Sequence, residues 1–280
     1  MADIINPIII GGDNKLPLFI NNKLEELTAE DIAIVGEVTN IRSYAFYNLT
    51  NLKKVTLPPQ TLRIDVSAFQ GCSNLTEVTN IENVTSIGGY AFNSCAKLEG
   101  VFLNNNCSVG ERVFGGCQSL KKLKFGKINT TISQYVLQGS TIGKFEINEG
   151  VIGTNTTFYQ ANINKCILPT TLTTITNGFS NLNRITNLII KAETPPTLSN
   201  TNQITNITRA FVSTNHITDY QTAENWSTIA GKFYPLIATY EDLANVTDHQ
   251  YACVKGNDLG IEDDNNYKVY QYIDGAWYEI

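Results

Sequence analysis

The sequence predicts a mainly β solenoid, in which short strands from successive turns of a coil stack into a parallel sheet. The dipeptide Ala-Phe recurs at 23-residue intervals, ending at Phe46, Phe69 and Phe92. From the second copy onward, Cys, Leu and Val follow each Phe at intervals of three residues. Charged residues make up only 16% of the chain, against about 25% in ordinary proteins, so the composition suits a polar but weakly charged scaffold.

Each repeat contributes one short strand, and the anchor series continues in weaker form through Phe114, Leu137, Phe158 and Phe179. The first residues of the predicted strands lie 21 to 23 positions apart, which stacks them about 4.8 Å from one another. One repeat cannot bury its own apolar face, so stacking supplies the core. A second apolar column, as at Ile87 and Ile175, predicts an opposite wall. The predicted strands are 55–57, 78–80, 101–103, 123–125, 145–147, 166–168, 188–190 and 210–212.

Three of the six cysteines, Cys72, Cys95 and Cys117, occupy the same position in successive repeats. No two cysteines form a CxxC pair, so a disulfide framework or a metal site is disfavoured. We expect the three to form one column of small buried apolar side chains.

The repeat resembles the BspA-type leucine-rich repeat, and residues 87–98 match its pattern nearly throughout. The resemblance covers residues 38–212 and weakens after Val136. It implies an α/β-solenoid, mainly β, with right-handed leucine-rich-repeat coils of 21–23 residues. Proteins of this kind often close with a helix, which the resemblance places around Trp226. Trp226 is then expected to plug the core, with a ligand-stacking aromatic as the alternative.

These signals divide the chain into four predicted parts. Residues 1–37 form an N-terminal arm and cap, 38–212 the solenoid and 213–236 a capping helix. Alternating residues around Asp274-Gly275 predict a hairpin, so 237–280 should form a small antiparallel β module standing as a separate tail. The terminal segments also resemble those of bacteriophage tail and fibre proteins.

The residues offer little chemistry, so the protein is predicted not to be an enzyme and to hold no cofactor. Its two histidines, His216 and His249, cannot form a multi-histidine metal site. A Cys253–His249 nucleophile pair is conceivable by residue type, but Cys253 is expected to point into the core. The acidic residues of 258–264 lack the spacing of a calcium loop, and a solvated hairpin tip is the preferred interpretation.

The middle residue of each strand should point away from the core, which creates a candidate binding row. Exposed Phe102, Ile167 and Ile189 would be unusual enough to indicate a contact surface. Two alternatives remain: neighbouring modules or subunits cover these residues, or the register is shifted by one. Lysines before the strands are interpreted as a solvated edge, or as an attraction for an acidic polymer. The predicted binding row is Thr56, Thr79, Phe102, Lys124, Glu146, Ile167 and Ile189, with Phe211 as a less certain member.

The leading hypothesis is a virion structural protein (tail fibre, head fibre or decoration) of a phage that infects a low-GC bacterium. The start Met1-Ala2-Asp3 lacks a basic secretion signal, so we expect assembly in the host cytoplasm. The alternative is a bacterial BspA-like cell-surface adhesin or effector, and a carbohydrate-active enzyme ranks third. Expected partners are other virion proteins or a host-surface glycan or protein, with a homo-oligomer such as a trimer allowed. A net charge of −6 argues against nucleic acid, and no apolar run is long enough for membrane insertion.

Overall fold

The computed structural model describes residues 26–27, 39–128, 132–150, 157–177, 179–199, 204–255 and 267–280. These residues form a coil with two β walls and a core between them. The strands of the first wall and its C-terminal extension are β1 (Glu26–Leu27), β3 (Lys54–Thr56), β5 (Glu77–Thr79), β7 (Gly100–Leu103), β9 (Leu120–Ile128), β10 (Thr141–Gly150), β11 (Asn162–Leu168), β13 (Arg184–Ile190), β15 (Ile207–Ser213), β16 (Phe233–Ile237), β17 (Tyr251–Val254), β18 (Lys268–Ile273) and β19 (Ala276–Glu279).

The second wall consists of two-residue strands, which confirms the predicted apolar column opposite the first wall. Its members are β2 (Asn40–Ile41), β4 (Arg63–Ile64), β6 (Ser86–Ile87), β8 (Ser108–Val109), β12 (Thr174–Ile175) and β14 (Thr197–Leu198). The helical segments are the 3-10 helices η1 (Ile81–Asn83), η2 (Ile204–Asn206), η3 (Thr214–His216), η4 (Trp226–Lys232) and η5 (Glu241–Asn245), and the helix α1 (Ile217–Thr222). No helix in the described ranges is long and apolar enough to cross a lipid bilayer.

The register of the first wall follows the repeat, so the predicted solenoid is confirmed. Val55 pairs with Val78, and Leu123 pairs with both Val101 and Phe145. The parallel pairing continues through Cys166, Leu188 and Ala210. The wall is interrupted once, because β1-β3-β5 form one sheet and β7 begins the ten-stranded sheet that runs to β19.

Stacked phenylalanine rings form the centre of the core in the first four repeats. Successive ring centroids along the column are 5.0, 5.3 and 5.9 Å apart. The rings are those of Phe46, Phe69, Phe92 and Phe114. Adjacent ring planes are tilted by only 17°, 1° and 6°. All four side chains are buried, so each ring completes the packing of its neighbours.

The cysteine column is buried as predicted, and each thiol also donates a hydrogen bond to the preceding repeat. Cys72 Sγ lies 3.0 Å from the Phe46 carbonyl, and Cys95 Sγ lies 3.2 Å from the Phe69 carbonyl. Where the repeat loses its cysteine, Ser140 Oγ donates to the Phe114 carbonyl at 2.5 Å. In these repeats a small side chain with a donor therefore bonds the preceding repeat, whereas the first repeat carries Leu49 at the same position.

Left-handed backbone turns flank the phenylalanine that anchors each of the first four repeats, a feature that the sequence did not predict. Around Phe92 they fall at Tyr90 and Ser94, with φ angles of 61° and 62°. Between them the Phe92 N–H donates to the Val113 carbonyl at 3.0 Å, which links one repeat to the next. The equivalent positive-φ residues of other repeats are Tyr44, Asn48, Ser67, Gly71, Arg112, Gly116, Tyr135, Gly139, Gln160, Asn177 and Asn181.

The predicted long capping helix is wrong in extent. The α-helical part, α1, ends at Thr222 because Ala223 is extended and Asn225 has a φ of 68°. Trp226 is nevertheless fully buried, and its indole N–H donates to the Pro196 carbonyl at 2.7 Å. Its core position agrees with the prediction.

The C-terminal strands continue the first wall. Strand β16 pairs with β15, and β17 pairs with β16, both in parallel. Strands β17, β18 and β19 then form the predicted antiparallel meander, with φ angles of 49° at Asp274 and 90° at Gly275 in the hairpin turn. The expected separate tail is thus joined edge to edge with the solenoid, while the four domain boundaries stay a prediction.

We predict that Phe69→Ala lowers the free energy of unfolding by about 3–5 kcal/mol, because it removes a buried ring with a stacked neighbour on each side. Urea unfolding followed by circular dichroism measures the change. Tyr47→Ala is the control, since Tyr47 is 44% exposed, and it should cost less than about 1 kcal/mol. Equal effects of the two substitutions would contradict the ring column as the core.

We also predict that the six thiols react slowly in the folded protein. Burial raises the pKa of Cys72, Cys107, Cys117 and Cys253 to about 12, and raises the pKa of Cys95 and Cys166 as well. At pH 8 almost no reactive thiolate is present. Ellman's reagent should titrate six thiols in guanidinium chloride and essentially none rapidly without it; fast labelling of any native thiol would contradict this packing.

Candidate functional site

The outer surface of the first wall carries the predicted binding row, and we call it the outer face. In β3 the side chain of Val55 is buried, whereas the next residue, Thr56, is half-buried and points outward. Thr79, Phe102, Lys124 and Glu146 are likewise half-buried at the same register position. The predicted register is therefore right for these five residues, while their binding role stays a prediction.

The expectation that Ile167 and Ile189 are exposed is wrong, since both side chains are 0% exposed. Phe211, the last member of the row, is also 0% exposed. They point outward as predicted, but other parts of the chain cover them, which was one of the alternatives left open by the sequence.

The cover comes from the C-terminal strands. Ile167, Ile189 and Phe211 pack with Cys253, Tyr267 and Val269 in a second apolar cluster, separate from the main core. Two cation–π contacts lie at the edge of this cluster. Lys191 Nζ lies 5.2 Å from the centroid of the Tyr267 ring, and the Arg209 guanidinium carbon lies 4.3 Å from the centroid of the Tyr251 ring. The outer face is therefore covered at its C-terminal end and accessible at its N-terminal end.

A groove of about 740 Å³ opens at the accessible end, where the first wall is interrupted. The Glu99 N–H donates to the Thr76 carbonyl at 3.1 Å, but β5 and β7 form no strand ladder in the described part of the wall. Asn80 causes part of this separation, because it adopts a left-handed turn (φ 62°) and leads into η1. The predicted strand 78–80 accordingly ends at Thr79, one residue early.

Two ion pairs flank the groove. Lys54 Nζ lies 3.3 Å from Glu77 Oε2, and Lys121 Nζ lies 2.8 Å from Glu99 Oε2. All four side chains are about half exposed or more, so the pairs add little to stability. They place a carboxylate and an ammonium group next to each other on each side of the groove.

Phe102 supplies the aromatic part of the groove. A Cβ added at Gly100 would lie 3.9 Å from Phe102 Cε2, so the ring leans over a position that has no side chain. Val78 and Ile81 also line the groove, but they belong to the core and are almost fully buried. The groove thus combines one aromatic surface with the polar residues Glu77, Thr79, Asn80, Glu82 and Glu99.

The lysines of the predicted edge differ in environment. Lys53, Lys54 and Lys121 are exposed, as a solvated edge requires, whereas Lys144 and others are half-buried on the outer face. Lys144 Nζ lies 3.4 Å from Glu146, which Lys191 also approaches at 3.6 Å. The half-buried group is Lys122, Lys144 and Lys165.

The catalytic alternative finds no support in the geometry. Cys253 is fully buried, and burial raises its pKa to about 12, so it is no activated nucleophile. His216 Nδ1, at the end of η3, lies 2.9 Å from Asp219 Oδ2 on α1. Within the described ranges no cluster of three or more His, Cys, Asp or Glu residues could hold a metal ion. The acidic residues of 258–264 lie outside the described residues.

Sequence reasoning missed most of the groove. Thr79 and Phe102 were predicted as members of the row, but Glu77, Glu82 and Glu99 were not. Two deviations from the repeat could have indicated it. Asn80 stands where other repeats place an inward apolar residue such as Leu57, and Gly100 stands where the neighbouring strands carry Glu or Lys.

The chain belongs to the BspA type leucine rich repeat family. The family model matches six copies over residues 19–143 and 100–203, more than half of the chain. No curated protein sequence matches this chain.

Three solved structures are similar. A leucine rich repeat protein of T. pallidum shares 18% identity over 75% of this chain and 83% of its own, with a TM-score of 0.45. A leucine rich cell surface protein of Faecalibacterium prausnitzii shares 24% identity over 65% of this chain and 44% of its own, with a TM-score of 0.42. A leucine-rich repeat protein of Bacteroides ovatus shares 13% identity over 69% of this chain and 64% of its own, with a TM-score of 0.32.

Introducing a carboxylate should affect the free energy of unfolding differently at the two ends of the outer face. We predict that Ile189→Asp lowers the free energy of unfolding by more than about 4 kcal/mol, because it places a carboxylate in the second apolar cluster. Phe102→Asp should cost no more than about 1 kcal/mol, since it lies at the open groove. Thermal and urea unfolding compare the two; a stable Ile189→Asp variant would show that the cover is absent in solution.

Proposed function

We propose that this protein is a non-enzymatic binding scaffold that holds a macromolecular partner on the N-terminal half of its outer face. The observation that carries the proposal is the groove beside Phe102, which falls on the predicted binding row. The groove is open to solvent and has a volume of about 740 Å³, which suits one part of an extended partner. The family match supports a repeat scaffold, and the described residues contain no cluster of three or more His, Cys, Asp or Glu that could hold a metal ion.

The repeat geometry favours recognition of an extended partner. Each strand of the outer face adds one outward side chain about 4.8 Å from the next. Thr56 and Thr79 are neighbours of this kind, as are Phe102 and Lys124, and the groove lies between the two pairs. Such a short row makes a modest interface, and display of many copies on one surface would strengthen it by avidity.

Two settings would supply many copies. The family match covers the repeats and supports a BspA-like surface adhesin or effector as the first setting. The virion protein is the second candidate, and its specific support is the sequence of the terminal segments, including the hairpin at Asp274-Gly275. The solenoid would serve the same binding function in either setting.

Cell binding tests the function. Labelled full-length chain should bind saturably to at least one member of a panel of low-GC gut bacteria and human epithelial cells, measured by flow cytometry. Phe102→Asp should weaken that binding at least tenfold, because it alters the aromatic surface of the groove. The control Thr222→Asp, at an exposed position on α1, should bind normally. Absence of saturable binding, or unchanged binding by Phe102→Asp, would refute the proposal.

Mass spectrometry distinguishes the two settings. Peptides of this chain should be found in the envelope fraction of the producing bacterium if it is a surface protein. Their recovery from phage particles purified on a density gradient, at a constant ratio to capsid protein, would instead establish the virion setting.

A further inference from the structure

The groove on the outer face carries a definite pattern of polar and apolar groups. Its acceptors are the carboxylates of Glu77 and Glu99, and the ammonium groups of Lys54 and Lys121 lie beside them as donors. Phe102 provides an aromatic surface between them and the rest of the outer face. The site therefore offers hydrogen bonds of both signs next to one ring.

This pattern excludes several ligand classes. With Glu82, three carboxylates face two ammonium groups, so a phosphate or another strong anion would be repelled. The remaining charge is too small to attract a polycation strongly. An apolar peptide would find one aromatic ring but no deep apolar pocket, since Val78 and Ile81 are buried in the core.

We propose that the groove binds a neutral pyranose unit of a glycan, a deepening that rests on the proposed binding function. The hydroxyl groups of a pyranose both donate to carboxylates and accept from ammonium groups. One face of a pyranose carries C–H groups, which pack on the ring of Phe102. The openness of the groove lets a longer glycan chain enter and leave on either side of the bound unit.

Side-chain hydrogen bonds hold the β5 side of the groove in place. Thr76 Oγ1 donates to the Lys53 carbonyl at 2.9 Å, and Asn80 Nδ2 donates to the Leu57 carbonyl at 2.7 Å. Both bonds join the repeat that contains β5 to the backbone of the repeat that contains β3. Since little ordering remains to occur on binding, a weakly interacting sugar can be held more tightly than by a mobile loop.

A printed array of neutral oligosaccharides that contain glucose, galactose, rhamnose and N-acetylglucosamine tests the inference. The labelled full chain should bind a subset of them. Phe102→Ala and Glu99→Gln should each reduce binding at least tenfold. Glu149→Gln is the matched control for Glu99→Gln, because Glu149 also pairs with a lysine (Lys127, 3.2 Å) but lies outside the groove. Tyr272→Ala, a 46% exposed aromatic on β18, is the control for Phe102→Ala.

The outcomes separate this inference from the broader function. Loss of array binding in both groove variants, with both controls intact, supports the saccharide site. An empty array, array binding that the groove variants leave unchanged, or preferential binding of poly-lysine overturns it. If the protein binds cells through Phe102 but binds no oligosaccharide on the array, the proposed binding function stands and the saccharide proposal is wrong. If it binds neither cells nor the array, both proposals are wrong.

Discussion

Stacking of incomplete units is the constraint on which the rest of the structure depends. A single repeat of 21–23 residues exposes the ring of its phenylalanine, and only the next repeat covers it. The hydrogen bond from each Phe N–H to the following repeat, and the thiol donated back to the preceding one, hold that stacking in register. Because the register is fixed, the residue in the middle of each strand must point outward, which is how a core constraint also creates a surface row.

The same regularity determines what the sequence could predict. The eight strands, the parallel pairing of β3 with β5 and of β7 through β15, and the buried column of Cys72, Cys95 and Cys117 follow from periodic positions, and the structure has them. The interruption between β5 and β7 does not follow from the period, which predicts one continuous sheet. The left-handed turns at Tyr90 and Ser94 could not be predicted, because neither residue type is a strong signal for positive φ. The sequence could not predict the burial of Ile167 and Ile189 for a different reason. It depends on contacts with Tyr267 and Val269, about 80 to 100 residues away, and no local pattern reports such contacts.

The candidate site lies where the repeat departs from its own rule. Phe102 and Thr79 could be placed on the outer face from periodicity alone, but the groove between them needs two exceptions. Asn80 turns the chain out of the strand, and Gly100 removes a side chain from the neighbouring column. A surface that is otherwise a regular ladder thereby gains one recess with its own chemistry. The C-terminal strands cover the opposite end, so the accessible row and the recess fall on the same side.

The central claim is that the outer face is divided into an accessible N-terminal half and a covered C-terminal half. Hydroxyl-radical footprinting of the native full chain, read residue by residue by mass spectrometry, measures this division directly. Phe102 and Phe211 occupy equivalent positions of the same row, so intrinsic reactivity is matched. The structure predicts that Phe102 is oxidised several times faster than Phe211, which is 0% exposed. Equal rates for the two rings would contradict the division and with it the proposed location of the binding site.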